Sequence, residues 1–183
     1  MRLVGGNLRG RRLEAPSGRE IRPTSDRTRE AIFNILAHAD WAPEIEGALV
    51  LDAFCGTGAL GLEALSRGAA RAIFMDQGRE ALDLVRRNVS ALGLAERCEI
   101  MRADATRPPH ARAPCTLLFL DPPYAKELAS TALVALQERG WVAPGALAVV
   151  EVGIDDPFAP ASGWQLLDTR PYGETRVLFI DLG

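Results

Sequence analysis

The chain has 183 residues, 48% of them hydrophobic and 25% charged, with a net charge of −3. That length and apolar content are enough for one buried core and argue for one compact body, without internal repeats or low-complexity tracts. Cys55, Cys98 and Cys115 are odd in number and lack paired metal-ligand spacing, which argues against a disulfide framework or zinc knuckle and for a reducing compartment. Between Met1 and Arg12 there is no apolar stretch, so neither a secretory leader nor a membrane span is expected, and a cytoplasmic location is.

The charge is unevenly spread. Residues 1 to 30 hold eight Arg against Glu14, Glu20, Asp26 and Glu30, a local balance of +4, which leaves −7 on the remaining 153 residues. A basic arm on an acidic body is the footprint of a protein that steers polyanions to one face, the plainer alternative being a solvated tail.

Taken in chain order, Leu3-Val4, Gly5-Gly6-Asn7 and Leu8 to Leu13 predict a small β-hairpin, because Gly-Gly-Asn supplies the positive φ angles of a tight turn. A helix follows over 26–38, with Ala31, Ile32, Ile35 and Leu36 as its buried stripe and Arg27, Arg29 and Glu30 largely outside it. Pro43 ends this part, so residues 1–45 read as a basic hairpin and helix extension packed on a main domain of residues 46–183. From residue 48, short runs of branched and aromatic residues alternate with helix-period stretches, the pattern of an α/β fold with a parallel sheet.

Strands are predicted near 49–54, 71–76, 97–102, 115–121, 146–152, 164–170 and 175–181. Helices are predicted at 59–67, at 79–92 with Leu82, Val85, Val89 and Leu92 on one stripe, and at 126–139 with Leu133 and Leu136 on another. The last two strands are separated only by Pro171-Tyr172-Gly173-Glu174, too short for a parallel crossover, so the seven-stranded mixed sheet ends in an antiparallel strand. Segment 154–163 offers no signal.

Asp52-Ala53-Phe54-Cys55-Gly56-Thr57-Gly58 lies where the first strand hands over to a helix, and Gly61 completes G-x-G-x-x-G. That pattern also suits a nicotinamide dinucleotide, with its pyrophosphate on the helix N-terminus and Asp76 on the ribose. Asp52 discriminates: a carboxylate ahead of the glycines repels a pyrophosphate but favours the ammonium group of S-adenosylmethionine. Asp76 then takes the ribose hydroxyls, and Asp104 accepts from the adenine amine. Plainer roles exist for each: Asp52 as a turn residue, Asp76 as a cap for the helix near Arg79, Asp104 as an Asx-turn before Pro108.

Asp121-Pro122-Pro123-Tyr124 follows the apolar run Leu117 to Leu120. Two prolines end the strand in a near-fixed extended form, leaving a carboxylate, a carbonyl and an aromatic ring at the sheet edge. Such a set suits a planar base with an exocyclic amine: the oxygens of Asp121 and Pro122 take the amine hydrogens while Tyr124 stacks. The plainer reading makes Asp121 a cap for the helix beginning near Lys126 and Tyr124 a core residue.

Together these motifs resemble a class I, Rossmann-like methyltransferase, and more closely the bacterial family that methylates the N2 amine of a guanine in 16S rRNA. The resemblance spans nearly the full chain. Its specific mark is Arg22-Pro23-Thr24-Ser25-Asp26-Arg27-Thr28-Arg29-Glu30 with Phe33-Asn34 just after, since the Pro-Pro tetrapeptide is shared with DNA adenine-N6 methyltransferases. The resemblance implies that Asp52, Phe54, Gly56, Gly58, Asp76, Asp104 and Ala105 hold S-adenosylmethionine and that Asp121, Pro122, Pro123 and Tyr124 carry out transfer. Asp76 departs from the family, which more often has the longer Glu there. Arg9, Arg11, Arg12, Arg22, Thr24, Arg27 and Glu30 are the candidate RNA contacts, and the implied partner is 16S rRNA or a small-subunit ribosomal assembly particle. No metal is required. The alternatives are a DNA adenine-N6 methyltransferase, a non-catalytic RNA-binding assembly protein of the same fold, and a nicotinamide oxidoreductase.

Overall fold

A computed structural model describes residues 1–16, 25–123 and 127–183. Seven strands, β1 (Leu49–Ala53), β2 (Arg71–Asp76), β3 (Cys98–Arg102), β4 (Cys115–Leu120), β5 (Val142–Gly153), β6 (Gln165–Tyr172) and β7 (Thr175–Asp181), form one sheet in the order β3-β2-β1-β4-β5-β7-β6. The first five run parallel, and β7 inserts antiparallel between β5 and β6. Strands β1, β2 and β4 read as near-continuous apolar runs because helices cover both faces of a parallel sheet, whereas edge strand β3, with Glu99 and Arg102, has no buried residue. Edge strand β6 tolerates Pro171, whose missing N–H costs no central ladder bond.

The helices are α1 (Asp26–His38), α2 (Ala59–Ser66), α3 (Arg79–Leu92) and α4 (Leu128–Glu138). Leu3, Leu13, α1, α2 and α3 pack one sheet face with Val50, Phe74, Phe119, Leu147 and Val149. Through Leu133 and Leu136, α4 covers the other face, against Leu51, Leu118, Ala148 and Val150. Among the described residues no helix is long and apolar enough to cross a membrane.

Residues 1–13 form the small hairpin, closed by the antiparallel bridge of Arg2 to Arg12 and by Leu3 N to the Arg11 carbonyl (3.0 Å), Gly10 N to the Leu3 carbonyl (2.8 Å) and Leu13 N to the Met1 carbonyl (3.1 Å). Its glycine turn is tied to α2: Val4 and Gly5 amides donate to the Glu63 carboxylate (3.0 and 2.8 Å), Leu8 N to Ser66 Oγ (2.9 Å) and Asn7 N to the Ser66 carbonyl (2.7 Å). Other readings need correction. Arg29 is fully buried, and the buried stripe of α1 is Arg29, Ile32, Phe33 and Leu36, with Ala31 and Ile35 only half-buried. Its guanidinium is satisfied by Glu63 (Nε to Oε2, 3.4 Å), Asp26 (2.8 Å) and the Arg2 carbonyl, which offset the cost of desolvating the charge. Finally, β5 begins at Val142, with a register shift against β4 between Cys115 and Leu117, so the Pro144-Gly145 pair lies inside a strand as an irregularity. The β6–β7 hairpin turn is correspondingly only Gly173-Glu174, with Gly173 at φ 65.

Candidate active site

Strand order reverses between β1 and β4, whose chains leave in opposite directions and open a crevice at their carboxyl ends. Phe54 leaves β1 at φ 57, a left-handed conformation that a side-chain-bearing residue adopts only where the surroundings enforce it. Cys55 N donates to the Met75 carbonyl (3.1 Å) and Gly58 N to the Cys55 carbonyl (2.7 Å), which fix the loop to β2 and close it on itself. Gly58, at φ 75, starts α2. A Cβ on Gly61 would lie 2.5 Å from the Phe74 ring, so the glycine is what lets α2 ride directly on the sheet.

Asp52 ends up beneath this helix. It is 2% exposed, and its Oδ2 accepts from the Gly61 amide at 2.8 Å. Burial pushes its carboxyl well above the usual carboxylate range; the Gly61 bond pulls it back, and the charges of Asp121 and Asp76 push it further up. Asp76 and Asp121 therefore both lie within electrostatic reach of Asp52, at the ends of β2 and β4 on either side of β1. Asp76 accepts from Gly56 N (3.1 Å) and from Gly78 N (2.8 Å), so it shapes the glycine loop and the turn ahead of α3; the helix itself has Gly78 as N-cap and no side-chain cap bond. Each carboxylate oxygen accepts more than one hydrogen bond, which leaves Asp76 capacity for a ligand hydroxyl.

Asp104 makes the Asx-turn, accepting from Thr106 N (2.8 Å) and Thr106 Oγ1 (2.7 Å), while Ala103 N donates to the Asp76 carbonyl and places this turn beside β2. Ala105 is buried behind it. Asp121 is half-buried, Pro122 buried and Pro123 exposed. The described part of α4 starts at Leu128 with Glu127 as N-cap, whose side chain makes no cap bond; Lys126, where the alternative reading starts the helix, lies outside the described residues. Tyr124, Arg22 and Thr24 lie outside the described residues.

Arg9, Arg11, Arg12, Arg27 and Glu30 are all exposed. The Arg11 guanidinium donates to the Ala91 carbonyl (2.7 Å), in the last turn of α3. That position suits a cation at a helix C-terminus, so part of its charge is already used inside the fold. The other end of the arm meets the glycine loop. Buried Asn88 accepts from Glu14 N (2.7 Å) and donates to the carbonyls of Glu14 (3.2 Å) and Thr57 (3.1 Å), and Thr57 Oγ1 reaches Met1 Sδ at 3.7 Å. The structural roles of Asn88 and Glu63 are not legible in sequence, because apart from Arg67, four residues after Glu63, their partners lie tens of residues away.

Burial holds Cys98 up at about 11 and Cys115 at about 12, and raises Cys55 as well, so none supplies a thiolate near neutrality. Among the described residues no group of three His, Cys, Asp or Glu is placed to hold a metal ion. The arrangement suits a cationic, hydroxyl-bearing ligand across β1, β2 and β3 and an amine donor at β4. It opposes a pyrophosphate, which would face three carboxylates.

The profile of the family described as Conserved hypothetical protein 95 matches residues 1–181. Ribosomal RNA small subunit methyltransferase D of Escherichia coli K12 is 37% identical over 95% of this chain and 86% of its own length. The protein of the same name from Haemophilus influenzae is 33% identical, over 94% of this chain and 89% of its own. The solved structure of yhhF from Escherichia coli superposes with a TM-score of 0.84 at 33% identity, covering 99% of this chain and 97% of that one.

Proposed function

Because the chain belongs to the Conserved hypothetical protein 95 family, we propose that it is an S-adenosylmethionine-dependent methyltransferase acting on the exocyclic N2 of a guanine in small-subunit rRNA. The observation that carries this reading is the meeting of Asp52, Asp76 and Asp121 at one edge of the sheet, around the β1–β4 switch. S-adenosylmethionine supplies an electrophilic methyl on a sulfonium and carries an ammonium and two ribose hydroxyls. Asp52 would face the cationic amino acid, Asp76 the hydroxyls and Asp104 with Ala105 the adenine, while Phe54, Gly56 and Gly58 line the loop between them. The fit rests on charge: a buried carboxylate raised by burial and by like charges is stabilised by a cation brought beside it.

An aromatic amine is a weak nucleophile because its lone pair is delocalised into the ring. The Asp121 carboxylate and the Pro122 carbonyl would accept its two hydrogens, turn the lone pair out of the ring plane and stabilise the positive charge that develops on nitrogen. Orienting the two reactants supplies much of the acceleration, on the order of 7–11 kcal/mol in favourable intramolecular cases. Extruding the base costs a few kcal/mol, and stacking, the role assigned to Tyr124, returns about 1–3 of these. Arg9, Arg12 and Arg27, with Arg22, Thr24 and Glu30, would hold RNA on the arm side. The substrate, as naked rRNA or as a small-subunit particle, places the work in the cytoplasm.

The test is Asp121→Ala assayed with labelled S-adenosylmethionine on unmethylated small-subunit rRNA and particles. The expected result is a loss of transfer of about 10²-fold or more with cofactor affinity nearly intact. Undiminished turnover would remove Asp121 from the chemistry. Methylation of adenine in duplex DNA by the wild type, with none of rRNA, would favour the DNA enzyme instead.

A further inference from the structure

Asp121 and Pro122 can hold an exocyclic amine, but guanine, adenine and cytosine all offer one, so these two groups cannot select guanine. What distinguishes guanine on the same edge is the proton on N1, a donor where adenine presents an acceptor. A site that chooses guanine needs a second fixed acceptor directly beside Asp121.

The sheet supplies one. Strands β4 and β5 run parallel with Leu120 opposite Val150, so the next residue of β5, Glu151, stands beside Asp121 on strands about 4.8 Å apart. Side chains alternate along both strands. Leu117 and Phe119 of β4 and Leu147 and Val149 of β5 enter the core beneath α1 to α3, whereas Leu118, Leu120, Ala148 and Val150 enter the core beneath α4. By that alternation Asp121 and Glu151 project to the same side. It is also the side of Asp52 and Asp76, which continue the pattern of Val50 and Phe74.

Glu151 is half-buried between buried Val150 and Val152, and it borders a crevice with Pro122, Pro123, Glu127, Ser130, Asp156 and Phe158. It is an ionisable residue directly after an apolar run, two residues before the end of β5 but level with the point where β4 ends and Asp121 follows.

We propose that Glu151 is a specificity-determining residue of the transfer reaction, its carboxylate accepting the N1–H of the target guanine while Asp121 and Pro122 take the N2 amine. This rests on the guanine-N2 reading above. With both donors of one base edge paired to two adjacent carboxylates, adenine is rejected because its N1 lone pair faces Glu151. A site built to hydrogen-bond a substrate N–H discriminates strongly against the analogue that presents a lone pair there.

The experiment compares small-subunit rRNA, naked or assembled into particles, carrying either guanine or 2-aminopurine at the position the wild type modifies. 2-Aminopurine keeps the amine at C2 and has no proton on N1. The wild type is expected to prefer guanine by about 10²-fold or more in kcat/KM. Glu151→Ala and Glu151→Gln should narrow that ratio, to within about tenfold for the alanine variant, by losing rate on guanine more than on 2-aminopurine. S-adenosylmethionine affinity, measured by calorimetry in each variant, should stay at the wild-type value and shows that the site is intact. A wild type that methylates both substrates equally overturns the proposal, as does a ratio unchanged in the variants, including one where both rates fall together as they would for a structural role. Failure of the wild type to methylate guanine-containing rRNA in either form strikes the guanine reading itself, and is thereby distinguishable.

Discussion

Glu63 and Asp52 are both buried carboxylates, 0% and 2% exposed, on elements that touch, yet the fold provides for them in opposite ways. Glu63 collects four donors: the amides of Val4 and Gly5, Arg67 Nε at 2.9 Å and Arg29 Nε at 3.4 Å. It pins the arm and α1 to α2. Asp52 receives the Gly61 amide and otherwise sits in the field of two further carboxylates, Asp121 and Asp76. A buried charge surrounded by its own counterions is architecture. One surrounded by burial and like charges costs the fold stability and is explained by a cationic ligand.

The sharpest way to break that contrast is to neutralise each group. Glu63→Ala leaves the Arg29 guanidinium buried beside a missing partner and should cost about 3–5 kcal/mol, read by urea unfolding. A loss below about 1 kcal/mol would mean that the arm is not held by this cluster. Gly61→Ala comes next, because its Cβ would meet the Phe74 ring at 2.5 Å. It should cost about 1–3 kcal/mol and weaken cofactor binding as α2 lifts.

Asp52→Asn should reverse the sign. The folded-state pKa of Asp52 is raised, so the native state binds its proton more readily than the unfolded chain does. The stability linked to that proton is fully present below the unfolded-state value and is lost as pH rises through the raised one. The ligand-free asparagine variant should therefore be no less stable than the wild type at neutral pH, and its stability should fall less between acid and neutral pH. A clear loss at neutral pH would place Asp52 with Glu63 as a structural charge. The smallest expected effect is at the arm. Arg9→Ala with Arg12→Ala should leave stability unchanged and flatten the salt dependence of RNA binding by about 0.7 per lost phosphate contact. An unchanged salt slope would make these exposed cations ornamental.

The two regions also differ in how much of them was legible in the sequence. Strands 71–76, 175–181 and helices 26–38 and 79–92 coincide with the observed bounds, because apolar runs and the stripe Leu82, Val85, Val89 and Leu92 are local signals. The strand-end acids were legible for the same reason, each lying directly behind an apolar run. The packing of the arm was not. Arg29 reads as solvent-facing because its buried partner Glu63 is 34 residues away, and the hairpin is legible from its glycine turn while its docking is not, because the acceptors of that turn sit on α2. Glu151 carries the same signal as Asp121, without the prolines that draw attention to the latter. Phe54 shows no local reason for its positive φ; the backbone there is set by tertiary contact.

The central claim is that the carboxylates around the β1–β4 switch hold a cationic methyl donor. Calorimetric titration of S-adenosylmethionine into the wild type and Asp52→Asn, repeated from mildly acidic to mildly alkaline pH, tests it most directly. At neutral pH the asparagine variant should bind at least about tenfold more weakly than the wild type, and the gap should narrow toward acid pH as Asp52 takes up its proton. Equal affinity in the two proteins at every pH would contradict the account.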